Sequence, residues 1–253
     1  MFDKFFPDFD FSTIQSGRLL DLGCFTGGRS AAWQDRLEVD VLHGFDVDVE
    51  YAKAAVEFAD ARNDASHFCV ALAESMPYRD ESFDYIATFD VIEHVMSPSE
   101  ALGEAFRILK PGGLMFAVFP TYWNPLASHL NLATRVHGLN LLFDGTTLAE
   151  AHYDVIARRG AGHEWYNASS PELPGFYKAP FLNGITVSAF REILEEQAWE
   201  IVEWPKKPIF TVGRRMATPF FQTVSRVIGP LAKVPVLEEV FLTSISIVLR
   251  KPA

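Results

Sequence analysis

Residues 19–28 read Leu-Leu-Asp-Leu-Gly-Cys-Phe-Thr-Gly-Gly: an apolar run that carries one aspartate and passes into a glycine-containing turn ahead of a helical stretch. Glycine has no Cβ and tolerates positive φ, so such a turn lets a ligand lie against bare backbone. A dinucleotide site wants G-x-G-x-x-G to admit a pyrophosphate, whereas the glycines here stand at 23, 27 and 28, so the phosphate-binding reading fails on spacing. Metal chemistry finds no support either, because Cys24 and Cys69 belong to no CxxC or Cys/His cluster with ligand spacing. No metal is expected.

The elements that must position this turn follow a rhythm. Short apolar runs (LLDLG, VLHGFD, HFCVA, FDYIATF, LMFAVF) alternate with helical stretches at 30–37, 50–62 and 100–109, which predicts βαβ units and a parallel sheet. Ser97 can cap the helix before LMFAVF, with Glu100 three residues on and Pro98 at its first position, and Lys110-Pro111-Gly112-Gly113 is expected to stop it. From Pro120 the rhythm lapses for about 65 residues of aromatic-, histidine- and glycine-bearing sequence with only short, interrupted helices expected. It resumes at Thr186, a cap for a helix over 187–197, followed by WEIVEW and FLTSISIVLRK as closing strands. We expect one domain over 1–253: a ligand-binding half (18–120), an insertion over the acceptor site (121–185) and a C-terminal helix and strands (186–253).

Charge and composition narrow the class. Of 253 residues 49% are hydrophobic, enough to bury a large core, and 22 Lys+Arg against 33 Asp+Glu give a net charge of −11 that argues against nucleic acid as a partner. The start, MFDKFFPDFDF, lacks the basic region and cleavage site of a signal peptide, and no stretch approaches 18 uninterrupted apolar residues, so a cytoplasmic protein is expected. The aromatic N-terminus could pack against a partner chain, and the oligomeric state is left open. One segment runs against the acidic trend: 204–237 holds Lys206, Lys207, Arg214, Arg215, Arg226 and Lys233 with no acidic residue. Within it Ala217, Phe220, Phe221, Val224, Ile228 and Leu231 share one helical face behind a Thr218 cap. Three readings compete: a solvated face whose apolar side packs on the domain, a lid for a phosphorylated acceptor, or a patch for anionic membrane lipids.

The turn resembles the first motif (DLGCGTG) of class I S-adenosylmethionine-dependent methyltransferases, in the ubiquinone/menaquinone-methylase-like group also called methyltransferase type 11. The resemblance continues through Gly44-Phe45-Asp46, through Ala73-Glu74-Ser75-Met76-Pro77-Tyr78 with Ser82-Phe83-Asp84, through Phe89-Asp90-Val91-Ile92-Glu93-His94-Val95, and through Arg107 to Gly113. It implies a three-layer α/β/α Rossmann-like sheet, mostly parallel with an antiparallel C-terminal strand, and S-adenosyl-L-methionine as cofactor. Asp21, Gly23, Cys24, Phe25 and Gly27 would hold the amino-acid end of the cofactor. Asp46 would bind both ribose hydroxyls, a task that suits an acceptor with two oxygens. Val47, Ala73, Glu74 and Phe89 would complete the cofactor site. Two departures stand out: Phe25 replaces the usual middle glycine, and Leu72 replaces an aspartate that accepts the adenine amino proton, so that contact comes from Glu74, from backbone, or is absent.

Methyl transfer is an in-line displacement from a sulfonium, so the protein must align a nucleophile, exclude water and, for a hydroxyl, remove a proton. His94, after the fourth strand, and His129, after the fifth, are the candidate bases; the insertion also offers His137, His152 and His163, of which His137 and His152 read equally as helix-surface residues. Residues 120–142, 182–186 and 234–237 loosely resemble a subgroup associated with glycan and cell-envelope biosynthesis. That resemblance implies a sugar hydroxyl as acceptor, His129 as base, Asn183 as hydrogen-bonding partner, and Tyr122, Trp123, Trp165, Tyr166 and Phe176 as a stacking wall. The competing reading is a non-catalytic protein that keeps the fold as an interaction scaffold.

Overall fold

The computed structural model describes residues 2–14, 16–37, 39–126, 136–159, 182–210 and 218–253, with backbone alone at 149, 152, 153, 155–157 and 159. Seven strands, β1 (Arg18–Leu22), β2 (Val41–Asp46), β3 (His67–Val70), β4 (Phe83–Phe89), β5 (Leu109–Phe119), β6 (Glu200–Glu203) and β7 (Ile245–Arg250), pair in the order β3-β2-β1-β4-β5-β7-β6. Strands β1 to β5 run parallel, and β7 pairs antiparallel with β6 at the edge. The expected α/β/α fold with its antiparallel C-terminal strand is therefore the one adopted. Helices α1 (Gly28–Leu37), α2 (Val49–Arg62), α3 (Pro98–Ile108) and α5 (Val187–Glu196) supply the connections, close to the ranges read from sequence.

The chain divides into two compact units, one comprising Met1–Val118, Glu192–Pro205 and Ser246–Ala253, the other Phe119–Arg191 and Lys206–Ile245. In the first, the buried strands are near-continuous apolar runs, as a parallel sheet covered on both faces requires. Its core gathers Leu19, Leu42, Phe116 and Val248 around a fully buried Trp33. The N-terminal phenylalanines join this core rather than awaiting a partner chain. Phe2 stacks on Trp33 with centroids 4.0 Å apart, and Phe6 and Phe11 lie 5.5 and 5.8 Å from Phe116. Each such aromatic pair adds about 0.5–1.5 kcal/mol beyond the area it buries.

The second unit departs from sequence expectation in two ways. Where only interrupted helices were expected, α4 (Gly145–Arg159) runs 15 residues, opened by Asp144, whose carboxylate accepts from the Thr147 amide at 3.0 Å. And α6 (Pro219–Ile228) does not bury its whole apolar face. Ser225 is buried and Phe221 stacks on Phe210, while Phe220 is 69% exposed and Val227 73%. The Thr218 position is the cap as expected, but its side chain makes no capping bond. Around α7 (Glu238–Phe241), buried Glu238 takes salt bridges from Arg191 at 2.7 Å and Lys206 at 2.9 Å, and the carboxylate of Glu239 accepts from the Val187 and Ser188 amides. Burial pulls the Lys206 ammonium below the usual lysine range, Glu238 opposing.

Candidate functional site

Register decides which residues share an edge. Leu22 of β1 is level with Phe45 of β2 and Thr88 of β4, so the next residues, Gly23 just past β1 and Asp46 and Phe89 at the last positions of β2 and β4, stand level at one end of the sheet. β1 and β4 are adjacent, one flanked by β2 and the other by β5, so this edge is the topological switch point, outside the carboxyl ends of the strands, where open α/β sheets take ligands.

The turn after β1 is built by glycine. Gly23 has φ +79° and a Cβ there would stand 2.3 Å from a methyl of Val91; Gly27 has φ +82° and abuts the Ala55 backbone. The Gly23 and Cys24 amides both donate to the Phe45 carbonyl, at 3.0 and 2.9 Å. Phe25 takes a left-handed backbone conformation, φ +49°, and its half-exposed ring lies against Tyr51, centroids 4.2 Å apart. Beneath the turn, Asp21 is buried and accepts from the Ser30 hydroxyl at 2.5 Å. Burial pushes its carboxyl up to about 7, the Ser30 bond and Arg29 opposing. The buried Cys24 thiol is likewise pushed far up by burial, which makes it a packing residue rather than a nucleophile.

Asp46 closes the other side. One carboxylate oxygen accepts the Phe25 amide and the other the Asp48 amide, each at 3.0 Å, while burial raises the carboxyl above its ordinary range. A carboxylate offers about four lone-pair sites, so the group is aimed by backbone and keeps acceptor capacity toward a ligand. Val47, half-buried, leads into Asp48, whose side chain caps α2 at the Glu50 amide.

Ala73 is buried, and Glu74 plays a bracing part: its Oε1 accepts from the amides of Met96 at 2.7 Å and Ser97 at 3.2 Å, tying the segment after β3 to the loop after β4. Arg107 anchors the same segment through the Met76 and Tyr78 carbonyls and the carboxylates of Asp80 and Glu104. Phe89 is buried in the aromatic core, 6.5 Å from Phe2. In the loop after β4, His94 Nε2 lies 3.7 Å from Oε1 of buried Glu93, whose carboxyl is pushed well above its ordinary range by burial and then by Asp90.

Sequence reasoning missed a charged pair at this edge. Arg29 donates to the Phe89 carbonyl at 2.7 Å and pairs with Asp90 at 3.1 Å, and Asp90 itself has φ +55°. A signal existed: a cation in the first turn of a helix opposes the macrodipole, so Arg29 stands where local stability favours an acid.

The acceptor-side candidates lie in the second unit. Tyr122 and Trp123 meet edge to face, centroids 5.0 Å apart. Their loop is held by Asn140, whose amide donates to the Tyr122 and Asn124 carbonyls, and by the Asn124 amide, which donates to the Leu242 and Thr243 carbonyls. The Asn183 side-chain oxygen accepts the Ile185 amide at 2.9 Å, a turn that leads into α5. His129, His163, Trp165, Tyr166, Phe176, Arg214 and Arg215 lie outside the described residues. Among the described residues no group of His, Cys, Asp and Glu could hold a metal ion, and no helix is long and apolar enough to cross a membrane.

A family model described as "Methyltransferase domain" matches residues 20–117, the stretch that builds the edge around Asp46 and Gly23. Over residues 20–117 the chain is thus similar to methyltransferase domains. Domains of this family use S-adenosylmethionine. Among curated proteins, a ubiquinone biosynthesis O-methyltransferase of Pseudomonas entomophila is 33% identical over 150 residues, 53% of this chain and 57% of that protein. The chain thus spans little more than half the length of that relative. Among solved structures, phosphoethanolamine N-methyltransferase 2 of Haemonchus contortus, in complex with S-adenosyl-L-methionine, aligns with a TM-score of 0.57 at 16% identity, over 96% of this chain and 50% of the other. The [4+2]-cyclase SpnF aligns with a TM-score of 0.56 at 19% identity, over 96% of this chain and 77% of the other. These two likenesses carry the fold alone, and the cyclase illustrates that one fold serves more than one chemistry.

Proposed function

We propose that this chain transfers a methyl group from S-adenosylmethionine to a hydroxyl oxygen of a small-molecule acceptor. One observation carries the reading: at the switch-point edge a carboxylate, Asp46, has both oxygens aimed by backbone amides beside a glycine turn. That donor set suits the cofactor, since a vicinal diol presents two hydroxyl donors and the turn admits a ligand at backbone distance. When bound, the cofactor supplies an electrophilic methyl on a sulfonium.

Asp46 holds the ribose, the turn from Gly23 through Cys24 and Phe25 to Gly27 holds the amino-acid end above Asp21, and Val47, Ala73, Glu74 and Phe89 wall the site. His129 or His94 takes the hydroxyl proton, Glu93 standing beside the latter. Tyr122 and Trp123 offer aromatic faces to a sugar or cell-envelope glycan precursor, with Asn183 as a hydrogen-bonding partner. The named O-methyltransferase relative supports oxygen as the acceptor atom. For the basic segment 204–237 we favour contact with a phosphorylated acceptor, supported by exposed Arg226 and Lys233. A cytoplasmic setting suits this chemistry.

Calorimetric titration with S-adenosylmethionine and S-adenosylhomocysteine tests the reading. The expected result is micromolar binding by the wild type and at least a roughly hundredfold loss in Asp46→Ala, the scale of two lost charge-assisted hydrogen bonds. A wild type that binds neither overturns it in favour of an interaction scaffold.

A further inference from the structure

Helix α6 turns large apolar side chains outward and a small polar one inward. At about 100° per residue, Phe220 and Val227 fall on one line of the helix two turns apart, and both are largely exposed. Ser225, about 200° round from Val227, is buried instead. The inner side is firmly seated. Phe221 stacks on Phe210 with centroids 5.1 Å apart, and Gly229, next after the helix, lies so near Pro208 that a Cβ would stand 3.3 Å from its Cγ. The helix cannot roll to hide Phe220 without giving up these contacts. Beyond it a 3-10 turn, Gly229–Lys233, leads into Val234, Pro235 and Val236, all exposed, Val236 to 81%. Single apolar residues are ordinary on a protein surface, but this density along one short stretch marks an interaction site.

Charge selects the occupant. Arg226 and Lys233 are exposed within the same stretch, and the sequence from Trp204 to Leu237 holds no acidic residue although the chain carries a net charge of −11. Arg226 stands about 100° from Val227 on the helix, so a cation flanks the apolar line. A second copy docking by the same face would set these cations against one another. Nucleic acid would supply phosphates but no apolar layer. An anionic bilayer supplies both, phosphates at its surface and hydrocarbon just beneath. At 10 residues α6 is too short to cross that layer and suited to lying on it. We propose that α6 and the stretch to Val236 dock on an anionic lipid surface. Phe220, Val227, Val234 and Val236 enter the acyl boundary, and Arg226 and Lys233 meet the headgroup phosphates. This rests on the reading of 204–237 as a phosphate-contacting segment and specifies a membrane lipid as what carries the phosphate. With two cations and four apolar side chains the attachment is reversible and sensitive to salt.

Co-sedimentation of the full chain with vesicles tests the assignment, using pure phosphatidylcholine and a phosphatidylcholine–phosphatidylglycerol mixture. The wild type is expected to bind the anionic vesicles at least about tenfold more tightly than the neutral ones, and to lose that preference in high salt. Arg226→Gln with Lys233→Gln should abolish the preference. Phe220→Gln with Val227→Gln should weaken binding to the anionic vesicles about tenfold or more. All four positions are exposed, so unchanged thermal unfolding is expected in both variants and separates lost docking from lost folding. Equal affinity for the two vesicle types, or anionic binding that survives both pairs of substitutions, overturns the proposal. A wild type that ignores vesicles but binds glycerol 3-phosphate in calorimetry overturns it while leaving the phosphorylated-acceptor reading standing, and one that binds neither overturns both. Vesicle-free self-association in sedimentation velocity, abolished by Phe220→Gln with Val227→Gln, would give the face to a second copy and overturn the lipid assignment.

Discussion

Two turns leave the sheet side by side, after β1 and after β4, and they are made by opposite means. The first is shaped by what is missing: Gly23 and Gly27 sit at positive φ, and the Gly23 position has no room for a Cβ against Val91. The second is shaped by what is charged: Asp90, Glu93 and His94 crowd within five residues, and Glu74 reaches in to hold the Met96 and Ser97 amides. A backbone cradle fixes where a ligand lies, whereas a charged loop decides which groups it must carry. The two are not independent, because Val91, the residue that forbids a side chain at 23, belongs to the second turn.

Breaking that dependence gives the largest effect. Gly23→Ala combines a left-handed penalty with a steric clash and should destabilise the protein by about 2–4 kcal/mol in urea unfolding. Adding Val91→Ala should return about half of the loss if the two turns are coupled through this contact. A double variant no better than the single one would show that strain at 23 is wholly local.

An intermediate effect concerns pH. The folded Asp21 carboxyl titrates near 7, above its unfolded value near 4, so between those limits the folded state binds more protons than the unfolded one. Its contribution therefore falls as pH rises from about 4 to about 7, and is constant outside that window. Unfolding of the wild type and Asp21→Asn across the window should show the variant gaining relative to the wild type as pH rises. Parallel profiles would mean that Ser30 and Arg29 keep the charge fully compensated.

The smallest effect is expected at Phe25. Phe25→Gly relieves the left-handed penalty but loosens the unfolded chain and removes the ring pair with Tyr51, so stability should change by less than about 1 kcal/mol. A larger loss would make the aromatic pair a structural brace of the first turn.

The first turn was legible in the sequence and much of the second was not. Glycine spacing, the end of an apolar run and a helix cap are local, so Asp21, Gly23, Asp46 and the Ser97–Pro98 start of α3 could be placed without a structure, as could the Thr186 hydroxyl that caps α5 at the Ala189 amide. Pairing of Arg29 with Asp90 spans 61 positions and depends on the strand order, as does the reach of Glu74 to Met96. The helix α3 ends at Ile108, within a residue of the expected stop, but Lys110 to Gly113 belong to β5, which local sequence did not reveal for a similar reason. The Gly112 amide and Gly113 carbonyl there bond Lys251, a strand partner far along the chain. The exposed Phe220 on α6 shows the same limit, since periodicity identifies an apolar face but not whether the fold covers it.

The aromatic closure of the first unit bears on how the chain reaches its fold. Phe6 and Phe11 find their partner Phe116 across more than a hundred residues, and the same core is completed by Val248 in the last strand. Contacts of such separation form late, because a long loop must close before they repay its entropy. Until β7 is synthesised, a string of phenylalanines has no finished surface to cover, and transiently exposed apolar surface of this kind favours aggregation.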